Sequence, residues 1–452
     1  MRLALLALPL IALASTAAAA AIHPELSDIA GAVDPGALRA TITRLVGFGT
    51  RHTLSDTTSE TRGIGAARRW THGRFAEIGA ACGGCLTIVL PEQTVSGERI
   101  PTPTVVRDVI AIQRGTTDRG RVVIISGHID SRVSDLLDAT HDAPGANDDA
   151  SGVAAVLESA RVLTAHRFAA TIVYAVLSGE EQGLYGGKIL ADYAKARGWR
   201  VEATLNNDIV GNTHGQDGRV VAGEVRVFSE GVRVTETPAE ATDRRRAGGE
   251  MDAPSREIAR FMAGLADTYL SPFRVRMIER SDRFSRGGDQ LPMQQAGYPA
   301  VRVTEADENY TRQHQDVRDE GGVAYGDVLS GVDFDYLAQV TRLDAITLAA
   351  LASAPPPPAA VHLTGAVTAD TTVGWTAAPG ASDYRVWWRE TTDPRWNQGQ
   401  SRGTGGATSL MLPGVNIDDY GFGVSAISAD GWESPVEFPG PAGAFFPAPA
   451  KP

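Results

Sequence analysis

The chain has 452 residues, 43% of them hydrophobic and 21% charged, the balance of a globular protein with one large domain and room for a small second one. Its formal net charge of −12 argues against nucleic-acid and anionic-membrane partners, because a phosphate surface must be met by basic side chains. Met1-Arg2 leads into an apolar run from Leu3 to Ala14, then Ser15-Thr16 and five alanines, Ala17 to Ala21. A basic start, a short apolar core and small residues in A-x-A spacing describe a signal peptide over residues 1–21, cleaved near Ala19 to Ala21. The run is too short to span a bilayer comfortably, and no later stretch reads as a membrane helix. The product is therefore expected in the periplasm or outside the cell. In that oxidising setting Cys82 and Cys85, the only cysteines, are expected to close a disulfide around Gly83-Gly84. Two cysteines alone cannot make a zinc site.

Further along, the pattern alternates strands and helices. Val122–Ser126, Thr171–Leu177 and Val201–Asn206 read as buried strands; Gly152–Ala165 and Leu184–Ala196 read as the helices between them. Ser255–Leu270 and Asp333–Ala352 are expected to be helical and Tyr298–Thr304 a strand. Repeated strand–helix units imply an α/β fold, a mostly parallel, mixed sheet sandwiched by helices. Residues 354–360, which contain Pro355 to Pro358, read as a stiff extended linker. After it, short alternating stretches around Trp375, Tyr384 to Trp388 and Tyr420 to Ala426 suggest a small all-β sandwich over residues 361–452. Residues 358–440 resemble a fibronectin type III module, with Trp375 as the core tryptophan and Tyr420 near a tyrosine-corner position. Such a module would attach to a surface, polymer or protein, or else only stabilise or space the enzyme.

The residues that follow the three strands carry the chemistry. The first runs into Gly127-His128-Ile129-Asp130, the second into Ser178-Gly179-Glu180-Glu181, the third into Asn207-Asp208. In a parallel sheet these ends share one edge, where open α/β folds bind ligands. The loop after the first strand adds Gly145-Ala146-Asn147-Asp148-Asp149-Ala150-Ser151-Gly152. Taken singly, each has a plainer role: Asp148 and Asp149 as helix caps, Glu180-Glu181 as acids at a helix N-terminus, His128-x-Asp130 as a surface turn. Together they put several carboxylates and an imidazole on one rim, where they would repel and take up protons unless a divalent cation joined them. Imidazole and carboxylate suit zinc, with manganese or cobalt also able to serve. A second metal needs a second imidazole, for which His314 is the candidate.

These motifs, with Glu180-Glu181-x-Gly183, the later Asp208 and the late His314, resemble the secreted di-zinc aminopeptidases over residues 40–350, a family that includes glutamate carboxypeptidases and, more distantly, glutaminyl cyclases. The resemblance implies a peptidase domain over residues 22–353 that hydrolyses N-terminal residues from peptides with two Zn2+ ions. One ion would be held by His128 and Asp208, the other by Glu181 and His314, with Asp148 bridging. Asp130 would stand behind His128 and fix its tautomer, and Glu180 would be the general base. The chain departs from the family in having Gln290 where a histidine is common and Gln313 where some relatives place a tyrosine before the last ligand; Tyr310 lies four residues before His314. His141 is expected to face solvent. A carboxypeptidase or cyclase of the same fold is the alternative, and Arg283, Arg286 and Arg302 are the cations that could receive a substrate carboxylate.

Overall fold

The computed structural model describes residues 22–397 and 400–446; the expected signal peptide lies outside them. Three helices come first, α1 (Pro24–Gly31), α2 (Pro35–Val46) and α3 (Gly63–Ala81). Asp34 caps α2 by accepting the Gly36 N–H at 2.8 Å, and Pro35 fills a first-turn position where no donor is needed. Cys82 and Cys85, just past α3, are disulfide-bonded across Gly83 and Gly84, both in the left-handed region at φ 75° and 85°. Strand β1 (Leu86–Val89), a hairpin of β2 (Glu92–Gly97) and β3 (Ile100–Arg107), and β4 (Val109–Gln113) follow. The repeating units are β5 (Asp118–His128) with α4 (Ala150–Leu163), β6 (Ala170–Leu177) with α5 (Tyr185–Ala196), and β7 (Arg200–Asn207). Then come β8 (Glu224–Phe228), α6 (Pro238–Ala247), α7 (Pro254–Tyr269), β9 (Arg274–Ile278), α8 (Gln290–Gln295), β10 (Ala300–Glu305), a small hairpin of β11 (Arg318–Glu320) and β12 (Val323–Tyr325), and α9 (Phe334–Ser353).

The main sheet has 8 strands in the order β1-β4-β6-β5-β7-β10-β8-β9. Its centre, β6-β5-β7-β10, is parallel, while β4 and β8 pair antiparallel on either side. Burial on both faces explains the unbroken apolar runs. Val123 and Ile125 point into a core shared with α2, α4 and α9, whereas Val122 and Ile124 pack against Leu190 and Ala194 of α5 and Met293 of α8. The expected strands and helices are present with shifted ends: the strand read as Val122–Ser126 begins at Asp118 and ends at His128 itself. No helix among the described residues is long and apolar enough to cross a membrane.

The C-terminal part is a small sandwich of two three-stranded antiparallel sheets. Strands β13 (Ala359–Thr364), β14 (Thr371–Thr376) and β17 (Ser409–Leu412) form one; β16 (Ser401–Gly403), β15 (Asp383–Glu390) and β18 (Tyr420–Ile427) form the other. Val373, Trp375, Val386, Phe422 and Val424 fill the space between them. Trp375 is buried as expected. Tyr420 opens β18 and packs edge-on against Phe422; the tyrosine hydroxyl that reaches back to the backbone is that of Tyr384, which accepts the Ala378 N–H at 3.0 Å.

The proline segment, expected to be a stiff extended linker, lies packed rather than exposed. Pro355 to Pro358 are buried. Arg121 of β5, itself fully buried and paired with Glu202 at 2.6 Å, donates to the carbonyls of Leu351 at 2.9 Å and Ala354 at 2.5 Å, which ties the end of α9 to the sheet. The two halves then meet over a polar seam. Asp252 is bonded to both Arg260 and Arg389, the Trp396 indole donates to Glu257 at 2.8 Å, and the His23 ring stacks on Trp432 at 3.7 Å. Phe445, near the described C-terminus, is buried in the core of the α/β half.

Candidate metal centre

His128 is the last residue of β5, Glu180 and Glu181 lie three and four residues past β6, and Asp208 follows β7 directly. Because β6, β5 and β7 are parallel neighbours, all four arrive at one rim. Asp148 comes from the loop before α4, which can approach because Gly127 and Gly152 touch: a Cβ on Gly127 would lie 2.6 Å from the Gly152 carbonyl carbon. His314 enters from the loop after β10 in the left-handed region, at φ 54°, as does Ile209, next to Asp208. Non-glycine residues held there carry backbone strain of about 1–3 kcal/mol, an expense met with mostly at functional sites.

The ligand atoms fall into two groups, His128, Glu180 and Asp208 in one and Asp148, Glu181 and His314 in the other, each spanning no more than 4.8 Å. Asp148 joins them: one oxygen is 3.2 Å from His128 Nε2, the other 3.0 Å from His314 Nε2. Glu181 Oε1 lies 3.1 Å from His314 Nε2 and is a buried oxygen with no hydrogen-bond partner. This donor set fits divalent zinc.

Electrostatics bind the rim together. Burial by itself would lower the His128 pKa, but the carboxylates of Asp149, Asp130, Asp148 and Asp208 raise it well above the ordinary imidazole value. His314 is pushed up to about 10, Glu181 and Asp148 outweighing its burial. Asp148 is held well below the carboxylate range against its own burial, chiefly by His314. Glu180 moves the other way: burial raises it well above its usual value, opposed by His128 and reinforced by Asp208 and Glu181.

Asp130 acts differently from a simple partner of His128. Its carbonyl, 3.1 Å from His128 Nδ1, orients the ring; its carboxylate is 3.7 Å away. That carboxylate instead accepts the N–H groups of Gly179, Glu180 and Glu181 at 2.9–3.3 Å and the Thr53 hydroxyl at 3.1 Å, which sets the Glu180-Glu181 turn. Asp149 is a brace and helix cap, accepting from His128 N at 2.9 Å and Gly152 N at 2.9 Å.

Several residues of the site carry no sequence signal. Arg302, considered above for a substrate carboxylate, is fully buried and bonded to Asp208 at 2.6 Å, so it is not available for that role. Arg132 bonds Glu181 at 2.8 Å and lies 2.6 Å from His314 Nδ1. Asp327 accepts the Asn147 and Asp148 N–H groups at 2.7–2.9 Å, and Arg51 bonds the carbonyls of Ile129, Pro144 and Gly145 beneath the same loop. None belongs to a motif; only the chain's return from distant loops places them.

The rim opens into a cleft of about 660 Å³. Tyr310, 55% exposed, lines it, as does Gln313, which bonds Glu308 at 3.3 Å and receives Arg286 at 3.4 Å. Gln290 does not reach the cleft; it is buried and donates to Asp282 at 2.6 Å. Arg283 and Arg286 are both held on Glu308. His141 is exposed, on Asp138.

The chain matches peptidase family M28 over residues 108–320, the span that contains His128, Asp148, Glu181, Asp208 and His314. It is 42% identical over 411 residues to a probable zinc metalloprotease of Pyrenophora tritici-repentis, covering 89% of this chain and 84% of that one. Over 422 residues it is 41% identical to a probable zinc metalloprotease of Leptosphaeria maculans, covering 92% and 97%. Among solved structures it shares its fold with LapA of Legionella pneumophila, at TM-score 0.54 and 17% identity over 74% of this chain and 78% of that one. LapB of the same organism is similar at TM-score 0.52 and 16% identity, over 74% and 77%. With imidazoles and carboxylates of the kind that hold zinc gathered at the carboxyl ends of a parallel sheet, and relatives described as probable zinc metalloproteases along nearly its whole length, this chain belongs to peptidase family M28.

Proposed function

We propose that the protein is an exported aminopeptidase in which two zinc ions and Glu180 hydrolyse the first peptide bond of a substrate. The observation that carries this reading is Asp148, with one oxygen toward each imidazole, the posture of a carboxylate shared by two cations. His128 and Asp208 would hold one ion, Glu181 and His314 the other. Zinc there supplies Lewis-acid polarisation of the scissile carbonyl and of a water molecule. Glu180, whose carboxylate oxygen lies within 4.8 Å of the His128 and Asp208 donor atoms, takes the proton from the attacking water and returns it to the departing amine nitrogen. Asp130 keeps Glu180 in place through the three amides it accepts. Arg302 and Arg132 hold one oxygen each of Asp208 and Glu181, leaving the other toward His128 and His314 respectively.

The choice of chain end follows from charge. Four carboxylates at the rim favour a substrate ammonium, while Arg302 is committed to Asp208 and Arg283 and Arg286 to Glu308, which leaves a free carboxylate poorly served. Aminoacyl anilides should be cleaved and their N-acetylated forms should not. Cleavage that ignores acetylation would overturn the assignment in favour of a carboxypeptidase. Export is tested separately: N-terminal sequencing of the released protein should begin just after Ala19 to Ala21, and a retained Met1 would refute it.

A further inference from the structure

A second cavity, about 410 Å³, opens on the flank of the α/β half between α3 and the β3–β4 junction. Arg68, Arg69 and His72 of α3 line it together with Arg107 at the end of β3, and no carboxylate is among its lining residues. Three guanidiniums around one hollow are unexpected in a chain of net charge −12. Arg68 is the informative one. It is only 9% exposed, and its Nε and Nη2 are buried without a hydrogen-bond partner. Burial, and then the like charge of Arg107, pull its pKa down to about 10, against the opposing pull of Asp108 and Asp130. The other two are partly occupied. Arg69 donates to the carbonyls of Thr57 at 2.9 Å, Thr58 at 3.4 Å and Ser59 and pairs with the exposed Glu60 at 3.5 Å, and Arg107 pairs with Glu92 at 2.5 Å; both are exposed ion pairs of the kind that contributes little.

We propose that this cavity binds a small tetrahedral oxyanion, phosphate or sulfate, between Arg68, Arg69, Arg107 and His72. Guanidinium forks match such anions through paired charge-assisted hydrogen bonds, and Glu92 can swing into solvent to release Arg107. The site is linked to the rim through Ser178: the Arg107 carbonyl accepts the Ser178 hydroxyl at 2.8 Å, and the Asp108 carboxylate accepts the Ser178 N–H at 2.9 Å, two residues before Glu180.

Isothermal titration of the zinc-loaded protein with inorganic phosphate and with sulfate, against chloride at matched ionic strength, tests the site. Saturable one-to-one binding on the order of millimolar is expected for the oxyanions and none for chloride. The Arg107→Gln and His72→Ala variants change exposed residues and should fold normally; each is expected to weaken binding by about tenfold. Arg68→Lys, which keeps the charge but loses the fork, should weaken it as well. Absence of oxyanion binding overturns the proposal. So does binding that is unchanged in Arg107→Gln and His72→Ala, since that result would place the anion on the zinc ions.

Discussion

The seam between the halves and the rim of the sheet both bury carboxylates beside guanidiniums, and they are balanced differently. At the seam between the halves Asp252 and Glu257 meet Arg260 and Arg389, two against two, with Trp396 bonded to Glu257 and its ring beneath both guanidiniums. At the sheet rim Asp148, Glu180, Glu181 and Asp208 meet Arg132 and Arg302, four against two, along with His128 and His314, which must be neutral to ligate. A balanced buried cluster holds two surfaces in register and needs nothing else, although removing one member is costly. A surplus of negative charge must either bind protons or recruit cations. The seam is therefore architecture, and the rim, on the function proposed above, is a receptor for metal.

The contrast is most sharply tested at Glu180. Replacing it with glutamine should lower kcat by roughly a hundred- to ten-thousand-fold while zinc content, read by elemental analysis, stays at the wild-type level. Near-normal turnover would mean that the proton is carried by another group. Next comes Asp148→Ala, which removes the carboxylate between the imidazoles and should weaken zinc binding by at least about a hundredfold in chelator competition; full retention of both ions would show that the rim is not shared. The seam should respond in the opposite way. Asp252→Ala strands Arg260 and Arg389 and should destabilise the fold by about 3–5 kcal/mol in urea titration, with zinc content unchanged. Zinc loss without destabilisation would erase the distinction drawn above.

The smallest effect concerns pH, beside the seam. Glu230 is pushed up to about 7, first by burial, against the pull of the Val234 N–H, the Ser255 hydroxyl and Arg233. A carboxyl that holds its proton more tightly when folded favours the folded state at low pH. That contribution is complete below the ordinary value of 4.5 and disappears as pH rises to about 7. Wild type should lose roughly 3 kcal/mol or less across this window relative to Glu230→Gln, as measured by thermal unfolding of both proteins. Parallel curves would show that Glu230 titrates normally.

The rim was legible in the sequence because parallel strands deliver their ends to one edge, and β5 and β6, buried on both faces, carry the apolar runs Val122–Ile125 and Ile172–Leu177, while β7 interleaves Glu202, Thr204 and Asn206 with Val201, Ala203 and Leu205. The outer strands hid for the same reason in reverse: β8 and β9 interleave Arg226, Arg274 and Arg276 with valines and give no clean run. Arg132 and Asp327 were invisible because their partners stand about 180 residues away in loops. The proline segment was legible only in part. Composition records its stiffness but not Arg121, which reaches across 233 positions to hold the carbonyl of Ala354. Only the fold shows that stiffness here serves a packed joint.

Phe445 has a consequence for biogenesis. Synthesis runs from the N-terminus, yet this ring near the far end of the chain completes the core that α2, α4 and α9 share with the sheet. Arg121, made early, waits for the carbonyls of Leu351 and Ala354 before its charge is covered. The core of the hydrolytic half reaches its final packing only once residues beyond the sandwich have been made.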